Sequence, residues 1–137
     1  MSAHRIVWAD EKFSTGIDEI DKQHQELVDR ANKVLDAINA GYVDGALLQP
    51  INELITSAHN HFAFEEKLLA DNNYPKLVEH IQDHIILIEQ LINLKKNVIP
   101  LTAKRIKAEI FSAFLVDMVE QHLVHADQNL LALISAN

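Results

Sequence analysis

Eight histidines in 137 residues make imidazole the side chain to account for. Two spacings stand out. His61 and Glu65 are four residues apart, and so are His80 and His84. On an α-helix, residues four apart lie about 40° from each other and one turn along the axis. Both members of each pair can therefore reach one point. Imidazole nitrogens and carboxylate oxygens are ligands that suit iron, and a carboxylate can bridge two metals. A lone HxxxH is common by chance. HxxxE and HxxxH on facing stripes, joined by His24 and His122 from two further stripes, form one constellation.

The ordinary explanation of a histidine on an apolar face is a core residue bonded to a carbonyl or hydroxyl. Five inward histidines and one carboxylate would need five separate arrangements of that kind, because each buried polar group left unpaired costs several kcal/mol. One shared metal centre satisfies them together. The remaining histidines fall elsewhere: His4 in the N-terminal arm, His59 about 160° around its helix from His61, and His125 three residues beyond His122.

These residues sit in four stretches where apolar side chains recur every three or four positions, the period of a helix with one buried face. The first spans about 17–40, with the stripe Ile17, Ile20, His24, Leu27, Val28, Ala31, Leu35 and Ile38. Thr15 or Asp18 is the expected cap, and Gly41 and Gly45 mark its end. The second begins within 46–50, with Pro50 in its first turn, and ends near Asp71, before Asn72-Asn73-Tyr74-Pro75. The third runs from Pro75 to about Asn97, and the fourth from about Ala103 to Ile134, with Thr102 as its cap. Short links between amphipathic helices predict an all-α, up-down-up-down antiparallel four-helix bundle over residues 17–134. Residues 1–16 form an arm whose Trp8 and Phe13 cover an end or flank of it, within a single domain, 1–137. Ile86, Ile110 and Phe114 lie off the main stripes and form a candidate contact patch.

Composition narrows the function. A formal net charge of −8 opposes binding to nucleic acid or anionic membranes. No apolar run reaches the roughly 20 residues of a membrane span, and the first residues lack the apolar stretch of a signal peptide. The absence of cysteine removes disulfides and thiolate metal sites. A cytoplasmic protein is expected.

Several segments resemble the hemerythrin family, in particular its bacterial single-domain members: IVWADEKFSTGIDEID, DKQHQEL, HFAFEE, YPKLVEHIQDH and HLVHAD. They cover nearly the whole chain, in order. The resemblance implies that His80, His84 and His122 bind one iron, that His24 and His61 bind the other, and that Glu65 and Asp127 bridge the two beside an oxo or hydroxo group. One departure is Met118, four residues before His122, where the family often has tryptophan. With these ligands one iron is six-coordinate and the other five-coordinate, which leaves a place for dioxygen. The implied function is reversible oxygen binding for storage, delivery or sensing, without enzymatic turnover, and any protein that receives the oxygen or the signal is expected to be a separate chain. The alternatives are a di-iron enzyme acting on peroxide or nitric oxide, and a metal-stabilised interaction module. Ile20, Leu27, Ala58, Phe62 and Val119 are expected to line the oxygen pocket.

Asp127 sets periodicity against resemblance. It lies five residues after His122, about 140° around a regular helix. A π-type turn between them would bring both to one face.

Overall fold

The computed structural model describes residues 5–41, 44–101 and 105–122. The described residues form five helices and no strand. These are α1 (Asp10–Phe13), α2 (Asp18–Asn39), α3 (Leu48–Asp71), α4 (Leu77–Leu101) and α5 (Arg105–Gln121), with a 3-10 turn at Asp44–Leu47. The long helices α2 to α5 pack in a ring, α2 against α3 and α5, and α4 against the same two. With short connections between consecutive helices, this is the bundle expected from the stripes. Among the described residues no helix is long and apolar enough to cross a membrane.

Helix ends follow local chemistry. Gly41 ends α2 in the left-handed region at φ +87°, where a side chain would be strained. Asn73, at φ 56°, makes the same turn after α3, as asparagine does more readily than other residues with a side chain. The Leu68 carbonyl, in the last turn of α3, accepts both the Asn72 backbone N–H at 3.2 Å and its side-chain amide at 2.8 Å. Pro50 lies in the first turn of α3.

The start of α2 differs from expectation. Ile17 occupies the cap position, and neither Thr15 nor Asp18 caps the helix through its side chain. Asp21, one turn inside, holds the approach instead. It accepts hydrogen bonds from the Thr15 backbone at 2.7 Å, the Thr15 hydroxyl at 2.8 Å and the Ser14 hydroxyl at 2.7 Å. The third expected helix also shifts. Pro75 sits in the preceding turn, and α4 begins at Leu77 and continues through Pro100 to Leu101. A proline there forfeits a single hydrogen bond, to the carbonyl four residues back. Thr102 and residues 123–134 of the fourth expected helix lie outside the described residues.

The arm is part of the core. Ile6 and Phe13 are buried and Trp8 packs half-buried against the same cluster, its ring 5.4 Å from that of Phe13. Asn32, buried within α2, ties the arm down: it accepts from the Ile6 N–H and donates to the Ile6 carbonyl, both at 2.9 Å. The apolar interior has two parts. The larger runs along α2 from Leu27 to Leu35 and meets Ile51, Leu54, Ala58, Leu91 and Leu115. The smaller gathers around Ile20 and Leu69. The histidines interrupt the stripes between them, so a polar layer crosses the bundle. On the outside, Ile86 and Phe114 of the expected patch are about half exposed, whereas the side chain of Ile110 lies outside the description.

Candidate metal centre

The polar layer draws on α2, α3, α4 and the end of α5. Helix α2 supplies His24, α3 supplies His61 and Glu65, and α4 supplies His80 and His84. His122 follows directly on α5, where the α-helical pattern ends at Gln121 and the backbone takes a π conformation. All six side chains are buried; His24 and Glu65 have no exposed surface. The four-residue spacings in α3 and α4 turn both members of each pair inward, as helix geometry requires.

Two groups form around one carboxylate. In the first, His24, His61, Glu65 and His122 offer ligand atoms within 4.8 Å of one another; in the second, Glu65, His80 and His84 do the same. The Nε2 of His61 lies 3.0 Å from that of His24, 3.3 Å from that of His122 and 3.1 Å from Glu65 Oε2. The other oxygen of Glu65, Oε1, faces His84 Nε2 at 3.1 Å and also meets His80 Nε2. Each carboxylate oxygen thus serves a different group. The resemblance allots His122 to the iron of His80 and His84. The structure sets its ring at the junction, 5.4 Å from the rings of His24 and His61 and 5.7 Å from that of His84, with Nε2 toward His61.

Outer partners fix which nitrogens carry lone pairs. The Gln23 side-chain NH₂ donates to the Glu19 carboxylate at 3.2 Å, which can only accept. The amide oxygen of Gln23 is therefore turned to His61, whose Nδ1–H donates to it at 2.8 Å. His84 Nδ1–H likewise donates to Glu66 at 2.8 Å. A neutral imidazole has one N–H, so the Nε2 atoms of His61 and His84 present lone pairs to the interior. There they face carboxylate oxygens and other imidazole nitrogens. The lone pairs of His61 and His84 beside a buried anion call for positive charge, and cations between the two groups and Glu65 would supply it. The donor set fits metal.

Residues beyond the ligands also matter. The Phe62 ring stacks on His84, with centroids 4.0 Å apart and planes 5° from parallel. It also lines a cavity of about 30 Å³ with Leu27, Leu54, Ala58, Leu87, Leu91, Met118, Val119 and His122. Leu27, Ala58, Phe62 and Val119 were expected there. Ile20 was too, but it packs instead with Leu69 on the other side of the polar layer. Met118, at the tryptophan position of the resemblance, is buried beside this cavity. Sequence reasoning assigned no work to Gln23 and Glu66, although both stand next to a candidate ligand; only the three-dimensional pairing with His61 and His84 reveals it.

His59 is exposed on α3. His4, His125 and Asp127 lie outside the described residues.

Comparison with known proteins agrees with this geometry. A family model described as the hemerythrin HHE cation binding domain matches residues 15–134. A protein named bacteriohemerythrin from Clostridium acetobutylicum is 32% identical over 126 residues, 90% of this chain and 96% of that protein. Another of that name from Pseudomonas aeruginosa is 36% identical over 86 residues, 63% of this chain and 55% of its own length. A third, from Stenotrophomonas maltophilia, is 31% identical over the same shares of the two chains.

Proposed function

The chain belongs to the hemerythrin HHE cation binding family, and from that premise we propose that it holds two non-haem irons at the centre of the bundle and binds dioxygen there reversibly, for storage, delivery or sensing. The observation that carries this reading is Glu65. One fully buried carboxylate turns Oε2 to His61 and Oε1 to His80 and His84. A single metal would not need the two oxygens divided in this way.

When bound, two irons would supply the electrons and the Lewis acidity that dioxygen binding needs. The chain's own residues do the rest. His24 and His61 would hold one iron and His80 and His84 the other, with Glu65 between them. The places of His122, on the iron of His80 and His84, and of Asp127, as second bridge, rest on the family resemblance. Glu66 and Gln23 keep the Nδ1 protons of His84 and His61 facing outward. The apolar cavity beside His122, about 30 Å³, exceeds the roughly 10–15 Å³ that one water-sized molecule needs, and its apolar walls disfavour water.

Five imidazoles and two carboxylates also argue for a carrier over an enzyme. Ferritin-like di-iron enzymes use four carboxylates and two histidines, and anionic ligands favour the high oxidation states that break the O–O bond.

The test is an iron count with absorption spectra recorded anaerobically, in air and after oxygen removal. Two irons per chain and an oxygenated band that disappears on deoxygenation are expected. A single metal, or oxidation without any reversible band, overturns the reading. Steady consumption of oxygen or peroxide with a reductant would establish an enzyme instead.

A further inference from the structure

The two outer hydrogen bonds have the same length and different charge. His84 Nδ1 meets a carboxylate, Glu66 Oε2, and His61 Nδ1 meets an amide, Gln23 Oε1, each at 2.8 Å. We infer that this pair of contacts widens the difference between the two metal positions beyond the difference in ligand number that the resemblance implies: Glu66 strengthens the position of His80 and His84 through His84, and Gln23 gives His61 no such charge. The inference rests on the di-iron reading above and deepens it.

The physical cause is the effect of a partner on the far nitrogen. A hydrogen bond from Nδ1–H to a carboxylate draws the proton outward and leaves more electron density on Nε2, so the imidazole becomes a stronger ligand. A hydrogen bond to an ionised acceptor is roughly twice as strong as one between neutral groups. Glu66 also brings a net negative charge to its side of the centre. Its side chain is 29% exposed and that of His84 only 3%, so solvent screens the contact incompletely. On the other side, Gln23 donates in turn to Glu19 at 3.2 Å, a carboxylate exposed to water, where its field is screened. His84 is thus backed by a charge in direct contact, and His61 by a dipole. The metal at His80 and His84 should be held longer and should favour the more oxidised state. The metal at His24 and His61 should leave first. Glu66 and Gln23 touch neither metal nor oxygen; they are positioning residues acting through His84 and His61.

The experiment loads the full chain with iron and challenges it with a ferrous chelator, following release with time, and measures the midpoint potential of the loaded protein. The parent should release its irons in two phases. Glu66→Gln keeps a hydrogen-bond acceptor and removes the charge; it should weaken retention in the slow phase by about tenfold to a hundredfold, the usual cost of losing such a partner, and raise the potential. Gln23→Glu should slow the fast phase and lower the potential. Parent-like release and potential in both variants would overturn the inference while leaving the di-iron reading intact. The same holds if Glu66→Ala loses iron but Glu66→Gln does not, since the hydrogen bond alone would then matter. A parent that yields one iron in one step would overturn the di-iron reading, and this inference with it.

Discussion

Glu65 is the residue on which the centre turns. Its charge lies wholly out of water among imidazole nitrogens from three helices, so removing it leaves lone pairs facing one another with no anion to hold a cation. Glu65→Ala and His61→Ala should each reduce iron below two per chain and abolish the oxygenated band, whereas the exposed His59→Ala should keep both; iron analysis with absorption spectra checks all three. Most of this group was legible because a four-residue step keeps both ligands on one helical face. Asp127 was not legible in that way. Five residues from His122 rotate it by about 140° in a regular helix, so periodicity assigns it to the surface and only the resemblance makes it a ligand. His122 itself has a π conformation, while the residues from 123 to Asp127 lie outside those described.

At the scale of elements, the join between arm and α2 depends on Asp21. Burial opposes its ionisation, but the hydrogen bonds from the Thr15 backbone and the Ser14 and Thr15 hydroxyls, with the nearby His24, outweigh that cost and hold its pKa below the ordinary 3.8. A lowered folded-state pKa gives stability that is present in full above the unfolded value and is lost as pH falls through the folded one. Asp21→Asn should therefore destabilise the protein at neutral pH, and its deficit relative to the parent should shrink as pH drops below about 3.8; denaturant melts across that range measure it. The sequence did not show this role, since a cap is sought at the residue before a helix, and Asp21 acts backwards from one turn inside. Helix extents were easier to read. The stripes placed α2 and α3 to within one or two residues, because burial repeats along their whole length. Pro100 misled the reading of α4, since proline near a helix end removes one hydrogen bond without stopping the chain.

At the scale of the molecule, the bundle carries a polar layer between two apolar parts, and its stability should depend on metal. Iron bound to the folded state alone stabilises it by mass action. The metal-free protein should melt at a lower temperature than the loaded one, as calorimetry would show; equal melting temperatures would contradict the site. On the proposed reading, the apolar cavity next to His122 should act on the lifetime of bound oxygen, as the polarity of a pocket does at other iron sites. Leu27→Ala and Val119→Ala should speed autoxidation, followed as decay of the oxygenated band. Leu27→Ala should also cost about 2–5 kcal/mol of stability, the usual result of truncating a buried leucine, so rates are best compared well below its melting point.

The carboxamide of Asn32 treats the arm as a neighbouring β-strand would, taking the N–H of Ile6 and returning one to its carbonyl. A segment pinned in this way is no tail. The Ile6 amide should exchange with deuterium as slowly as amides inside α2, because it is released only when the clamp opens. Asn32→Asp, nearly the same in shape, offers an acceptor to a carbonyl that needs a donor. It should turn the arm into a fast-exchanging segment and give proteases a cleavage site that the parent conceals.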